Sequence, residues 1–237
     1  MIKLAVIGCY GRMGQRITEL ALKDNEFTIV SLIESPSRTD VPESMHGISI
    51  TRDIHSVKDA DVVIDFTLPA PTMEHVDVCG KYGVRMVIGT TGLSDAQRAV
   101  IAKASEKIAV VQSTNMSVGV NVVFGLLKQM AAVLKGYGVS ITETHHVHKK
   151  DAPSGTAKTM AEVIESVTFN NVSDIQSIRE GEVIGYHKVS FNSDVDTIEI
   201  AHNAKTRDMF AEGSLLAAKF LVKRNNGMFN MQEVLGL

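Results

Sequence analysis

Cysteine, net positive charge and long apolar runs are what this chain has least of, and each shortage narrows the field. Its two cysteines, Cys9 and Cys79, are too few for a disulfide framework and lack metal-ligand spacing, so a reducing compartment is expected. With a net charge of −3, the 237 residues do not carry the basic excess of a general nucleic-acid or anionic-membrane binder. No run of about 18 apolar residues is present to span a bilayer. The first residues, "MIKLAVIGC", also lack the apolar core and cleavage site of a signal peptide. A cytoplasmic protein with neither nucleic acid nor membrane as partner is expected. Repeats and low-complexity stretches are absent too. What the chain does have is 44% hydrophobic residues, enough for one large core or two modest ones.

Those residues are patterned. "IKLAVIG" is a β-branched apolar run that stops at glycine, as a fully buried parallel strand does. "GRMGQRITELALKD" follows with Ile17, Leu20, Ala21 and Leu22 at helical spacing, and "FTIVSLIE" closes a strand, helix, strand unit. "DVVIDFT", the helix "PTMEHVDVCGKYG", "RMVIGTTG" and "KIAVVQSTN" continue the alternation. This predicts a doubly wound, Rossmann-like α/β sheet whose ligands sit at the carboxyl ends of the strands. After Asn115 the pattern changes. "SVGVNVVFGLLKQMAAVL" reads as a long helix, and "GVSITETHHVHK", "IGYHKVSFNS" and "DTIEIAHNA" alternate in the antiparallel style. A turn-rich connection, "TFNNVSD", spans 168–174. "DMFAEGSLLAAKFLVKR" is a last helix, with Lys223 and Arg224 suited to its carboxyl end. The expected organisation is a dinucleotide-binding domain over 1–115 and 207–237, and an α+β domain with a mostly antiparallel, mixed sheet over 116–206.

The first strand runs into Gly8, Cys9, Tyr10, Gly11, Arg12, Met13 and Gly14, and the second ends at Glu34. Glycines at such a turn let backbone approach a pyrophosphate and let the helix pack close, while the helix amino end faces the negative charge. Glu34 is suited to accept bonds from the adenosine ribose hydroxyls. The spacing is G-x-x-G-x-x-G rather than G-x-G-x-x-G, and a packing turn is the alternative. Its place between strand and helix, with an acid at the next strand's end, favours a nicotinamide dinucleotide. A carboxylate at Glu34 repels a 2′-phosphate and Arg38 attracts it, so NADH, or both NADH and NADPH, is expected. Gly89, Thr90 and Thr91 at the fourth strand's end, and Ser113, Thr114, Asn115 and Met116 at the fifth's, fall where the nicotinamide half belongs. "GTTG" also reads as an ordinary strand-to-helix turn.

The densest chemistry lies in "ETHHVHKKDAPSGTA", residues 143–157. A metal site would use His145, His146 and His148, but neighbouring strand residues point to opposite faces and no obvious acid or thiolate completes the shell. A solvated polar strand end is a second reading. The third is an anion-binding, proton-donating site. It is favoured by Pro153, suited to a helix's first turn, and by Ser154, Gly155 and Thr156, whose amides and hydroxyl would make a carboxylate pocket at that helix's amino end. His146 and Lys149 would add positive charge, and a histidine near neutral pKa can deliver a proton. On a regular strand His145 and Lys149 would stand about 13 Å apart, so the strand must end or curl if both serve one ligand.

These segments together resemble the 4-hydroxy-tetrahydrodipicolinate (dihydrodipicolinate) reductase family of bacterial lysine and diaminopimelate synthesis. The resemblance rests on "GCYGRMG", "DFT", "VIGTTG", "NMSVGVN", "HHVHKKDAPSGTA" and "FAEG", in that order, over nearly the whole chain. It implies NADH or NADPH bound by the first domain at Gly8 to Met13, Glu34, Gly89 to Thr91 and Ser113 to Met116. A cyclic dicarboxylate would be bound by the second, in the cleft between them. It also implies His145 and Lys149 as proton donors, His146 as a substrate contact, Gly155 and Thr156 as the carboxylate holders, no metal, Arg207 near the cofactor, and a homotetramer built through the second domain's sheet. "NMS" stands where "NFS" is usual, and no arginine directly follows Glu34. The segments 35–45 and 166–181 are shorter than in longer members. Rival readings are another two-domain amino-acid dehydrogenase and a dinucleotide-sensing binding protein.

Overall fold

The computed structural model describes residues 1–168, 172 and 174–237. The turn-rich connection expected over 168–174 falls largely outside them. In chain order the elements begin with β1 (Ile2–Ile7), α1 (Arg12–Lys23), β2 (Phe27–Ile33), β3 (Ser44–Met45) and β4 (Ile48–Thr51). A 3₁₀ turn (Ile54–Asp59) leads to β5 (Val62–Asp65), α2 (Pro69–Tyr82), β6 (Arg85–Ile88), α3 (Asp95–Ser105) and β7 (Ala109–Gln112). Then come α4 (Val118–Val133), β8 (Gly138–His145), α5 (Gly155–Glu165), β9 (Asp174–Arg179), β10 (Gly185–Asn192) and β11 (Thr197–Ala204). The chain ends with α6 (Asp208–Leu221), β12 (Gly227–Phe229) and α7 (Met231–Leu235). Two compact units emerge: Met1–Ser117 with Phe210–Gly236, and Val118–Met209 with Leu237.

In the first unit the sheet order is β12-β7-β6-β5-β1-β2-β4-β3, parallel except where β3 meets β4. Parallel strands flanked by helices are buried on both faces, which is why "LAVI" and "VVI" are apolar without alternation. Leu4 and Val6 join one core with Ile17, Ala21 and Leu215. Ala5 and Ile7 join the other with Val76, Cys79 and Ile101. Both cysteine thiols are free and buried, and burial together with the Glu34 charge pushes the Cys9 thiol up to about 11. Neither is a reactive nucleophile at neutral pH.

In the second unit the sheet runs β11-β10-β8-β9, with β10 antiparallel to both neighbours and β9 parallel to β8. Helices α4 and α5 cover one face, where Phe124, Leu127, Met160 and Ile164 pack on Val139, Ile141, Val189 and Phe191. Every second residue of β8 is buried: Val139, Ile141, Glu143 and His145. The face that opens apolar therefore ends ionisable.

Three local expectations change. Pro153 precedes the N-cap Ser154 instead of sitting in the first turn, and α5 begins at Gly155. The last helix stops at Leu221, so Lys223 and Arg224 lie beyond it and Lys219 is the basic residue of its final turn. Arg224 instead lays its guanidinium 3.3 Å from the Phe220 ring centroid, a packing role that the chain's continuation toward β12 makes available. Third, β3, β9 and β12 join their sheets without a strong alternating signal, since they are short or half-exposed. No helix among the described residues is long and apolar enough to cross a membrane.

Candidate functional site

The amino-terminal turn is defined by how little side chain it contains. Gly8 takes φ +70, and its amide and that of Cys9 both reach Ile33 O, at 2.9 and 3.2 Å, binding the turn to the end of β2. Gly14 lies so close beneath this turn that a Cβ there would stand 2.1 Å from Gly8 O. The start of α1 is thus drawn under the loop, with Arg12 and Met13 in its first turn, where amides have no intrahelical acceptor and gather positive potential. Gly11, at the N-cap, supplies no side-chain acceptor of its own.

Glu34, almost fully buried, accepts from Tyr10 N at 3.0 Å and Ser35 N at 2.9 Å. One carboxylate thereby ties the end of β2 to the glycine turn. Arg38 approaches Glu34 at 3.6 Å but is held more tightly by Asp40, at 2.9 and 3.2 Å, and its guanidinium lies 5.1 Å from the Tyr10 ring centroid. Arg52 donates to Ser35 O at 2.8 Å. Gly8, Gly11, Glu34, Arg38, Arg52 and His75 line a cavity of about 780 Å³. Its glycine-lined wall leaves room for a pyrophosphate, its buried acid suits a ribose, and its size a dinucleotide's adenosine half.

At the neighbouring strand ends a buried polar chain fixes the remaining candidates. Gly89 N donates to Asp65 O at 2.8 Å, and the Thr90 hydroxyl meets that of Thr72 at 2.8 Å. Thr91 is exposed. Asp65 accepts from Thr67 N and Thr67 Oγ1, at 2.9 and 2.6 Å, and pairs with His75 Nδ1 at 2.8 Å. His75 faces the cavity and was not singled out from sequence. After β7, Ser113 Oγ donates to Asn115 O at 2.9 Å, and Asn115 Oδ1 accepts from Ser117 N at 2.8 Å. Met116 is buried and Thr114 exposed.

In the second unit β8 ends at His145, and a turn in which Lys149 N donates to His146 O at 3.1 Å reverses the chain. The strand therefore stops where it must for Lys149 to come back beside His145. The Lys149 ammonium pairs with Asp151 Oδ1 at 2.9 Å. Burial lowers the His145 pKa below its ordinary value; the Glu143 carboxylate opposes this, while the Lys149 and Arg179 cations add to it. Ser154 caps α5 by accepting from Ala157 N at 3.2 Å, and Gly155 and Thr156 form its first turn. His146 lies 6.1 Å ring to ring from His148, with its Nδ1 buried.

The sequence reading missed an acid. Glu143 is fully buried; its Oε2 bonds His145 Nδ1, and its Oε1 accepts from Arg179 at 3.0 Å and Ser154 N at 3.3 Å. Burial opposes ionisation, but Ser177, opposite on β9, together with His145 and Arg179 outweighs it and holds the Glu143 pKa below the usual carboxylate range. Strand register explains the meeting: Arg179 on β9 lies opposite His145, and His187 on β10 lies opposite Glu143. The His187 ring centroid is 5.1 Å from that of His145, and its Nε2 is 3.1 Å from Ser154 Oγ. Burial, helped by a charged His145, lowers the His187 pKa to about 4.

The expected absence of an acid near the histidines thus gives way to a trio, Glu143, His145 and His187, whose candidate ligand atoms lie within 4.8 Å of one another. Both Glu143 oxygens are already engaged, one by a guanidinium, which disfavours a dication there. An anion fits the surrounding Lys149, Arg179 and α5 amides better.

Comparison with known proteins covers the full chain. A family model described as dihydrodipicolinate reductase, N-terminus, matches residues 2–116, and the corresponding C-terminus model matches 119–235. The 4-hydroxy-tetrahydrodipicolinate reductases of Nitrosomonas europaea and Burkholderia thailandensis are 39% and 40% identical, each alignment covering 100% of this chain and 98% of the relative. A dipicolinate-bound dihydrodipicolinate reductase from Paenisporosarcina sp. TG-14 shares the fold with a TM-score of 0.86 at 23% identity, covering 98% of each chain. Aspartate dehydrogenase from Thermotoga maritima is a more distant match in fold, with a TM-score of 0.56 at 13% identity, covering 92% of this chain and 96% of its own.

Proposed function

Because this chain belongs to the dihydrodipicolinate reductase family, we propose a division of labour among its residues for that family's reaction. The reaction is the NAD(P)H-dependent reduction of 4-hydroxy-tetrahydrodipicolinate to tetrahydrodipicolinate in lysine and diaminopimelate synthesis, with loss of water. The dinucleotide, when bound, supplies the hydride. Its pyrophosphate is held by the Gly8 to Met13 turn and the first amides of α1, its adenosine ribose by Glu34. The segments Gly89 to Thr91 and Ser113 to Met116 hold the nicotinamide half.

In the second unit Gly155 and Thr156 hold one carboxylate at the amino end of α5, and His146 contacts the substrate. The other carboxylate lies among the cations around Lys149. His145, with Nδ1 bound to Glu143, keeps Nε2 for the substrate, and it or Lys149 delivers the proton. A buried histidine lying next to an ammonium gives up its proton more readily, which suits a donor. The same reading makes the protein a cytoplasmic homotetramer that joins through the second unit's sheet and needs no metal.

The observation that carries this reading is the convergence, within one unit, of His145, Lys149 and a capped helix amino end on a segment of "HHVHKKDAPSGTA" type. The deciding experiment is a coupled assay: aspartate semialdehyde, pyruvate and the preceding synthase are supplied, and the absorbance of NADH or NADPH is followed. Consumption of either above the enzyme-free rate is expected, and it should survive a chelator. Consumption of neither would refute the reading. An amino-acid dehydrogenase would instead reduce NAD on addition of a free amino acid.

A further inference from the structure

A single carboxylate joins three parts of the proposed substrate surface, two by direct contact and the third through Arg179. Glu143 bonds His145 Nδ1 with one oxygen; with the other it accepts the amide of Ser154, the N-cap of α5, and the guanidinium of Arg179. Arg179 in turn donates to Lys149 O at 3.3 Å and to Asp151 O, so the loop carrying the lysine hangs from the same ion pair. The position is costly, since Glu143 continues the strand face that buries Val139 and Ile141. A fold gains little stability from such a charge and would keep a hydrophobe there if packing were the only demand.

We propose that Glu143 is the positioning residue of this site: it fixes the tautomer and orientation of His145 and holds the Lys149 loop and the amino end of α5 in register with it. The role rests on the reading above. The mechanism is that of a carboxylate behind an imidazole. Accepting from Nδ1–H commits the proton to that nitrogen and leaves Nε2 for exchange with substrate. The groups facing His145 are Glu143 on its own strand, Arg179 from β9, His187 from β10 with His202 beyond it on β11, and Lys149, Asp151 and Ser154 from the segment leading into α5. Glu143 is the anion in direct contact with the ring, so its removal changes both the tautomer and the proton affinity of His145.

Glu143→Gln preserves the shape and lets one amide oxygen keep the Ser154 and Arg179 bonds, but its NH₂ then faces Nδ1. Nitrogen-15 spectra of the histidine rings, recorded without substrate, should show His145 as the Nδ1–H tautomer in the wild type and as Nε2–H in the variant. Its titration should move to lower pH. In the coupled assay kcat should fall about 100-fold while KM for the dicarboxylate changes less than about threefold. Glu143→Asp should restore the tautomer and part of kcat. Arg179→Lys, which keeps the charge but loses the fork, should instead raise KM more than it lowers kcat. An unchanged His145 tautomer in Glu143→Gln, or a kcat within twofold of wild type, would overturn the proposal. A wild type that consumes no dinucleotide would refute the functional reading and with it the catalytic half of this role, while the histidine spectra still decide the positioning half.

Discussion

The two candidate ligand surfaces of this chain are built by opposite means. The glycine turn of the first unit is built by leaving side chains out, so that bare backbone at Gly8 and Gly11 and one buried acid, Glu34, line the cavity. The segment from Glu143 to Ser154 works by crowding side chains in, with Glu143, His145, Lys149 and Asp151 joined by Arg179 and His187 from neighbouring strands. A substitution in the first should therefore act by adding atoms, and in the second by removing charge. The contrast predicts where damage falls: on stability and cofactor affinity in one region, on turnover in the other.

The largest expected effect tests the charged region. Lys149→Ala should lower kcat by about 10² to 10⁴, the usual contribution of a positioned proton donor, and leave the dinucleotide Kd within about twofold. Steady-state rates combined with a fluorescence titration of NADH separate the two. A kcat near wild type would move proton donation away from Lys149 and erase the contrast on its catalytic side.

The next tests the glycine turn. Gly14→Ala places a methyl 2.1 Å from Gly8 O and 2.6 Å from Cys9 Cα, contacts with backbone that cannot rotate away. Overpacking of this kind should cost about 3 kcal/mol in urea unfolding, with cofactor affinity falling in whatever protein remains folded. Wild-type stability in this variant would mean that the turn is looser than its spacing implies.

A third prediction turns on proton linkage. His187 is neutral in the fold, with a pKa near 4 against about 6.5 when unfolded. Between those values the unfolded chain binds the extra proton, so the stabilising contribution is complete above about pH 6.5 and is lost as pH falls toward 4. At pH 5 the loss attributable to His187 is about 2 kcal/mol, and His187→Gln should remove it. Denaturant melts at pH 7 and pH 5 would reveal the difference, and equal pH dependence in both proteins would contradict it.

What could be read in the sequence follows the same division. The parallel strands of the first unit announce themselves because burial on both faces demands unbroken apolar runs, as in "LAVI" and "VVI". His145 and Lys149 were visible as chemistry, and Glu143 had a signal that went unused: on a strand it shares a face with His145, two residues on, and with Val139 and Ile141. An acid continuing an apolar stripe asks for a buried partner. Which partner could not be read, because Arg179 arrives through parallel pairing of β9, and "DIQSIR" is half-exposed and mixed in character. His187 was likewise seen only as part of a strand, since its place opposite Glu143 depends on register that turn chemistry did not fix.

The smallest effect concerns dinucleotide choice, where the backbone-built region depends on one charge. Glu34 is held by the Tyr10 and Ser35 amides, and on the proposed reading it bonds a ribose and repels a 2′-phosphate. Arg38 and Arg52 line the same cavity, yet Arg38 is bound to Asp40 by two bonds and so is partly spent. Glu34→Gln keeps an acceptor for one amide and removes the repulsion, leaving two guanidinium groups near an incoming phosphate. The ratio of kcat/KM for NADPH to that for NADH should rise about tenfold, the equivalent of about 1.4 kcal/mol. Adding Asp40→Asn should raise it further by releasing Arg38. A ratio that stays constant through both changes would mean that backbone geometry alone sets cofactor choice, and the first region would then owe nothing to side-chain charge.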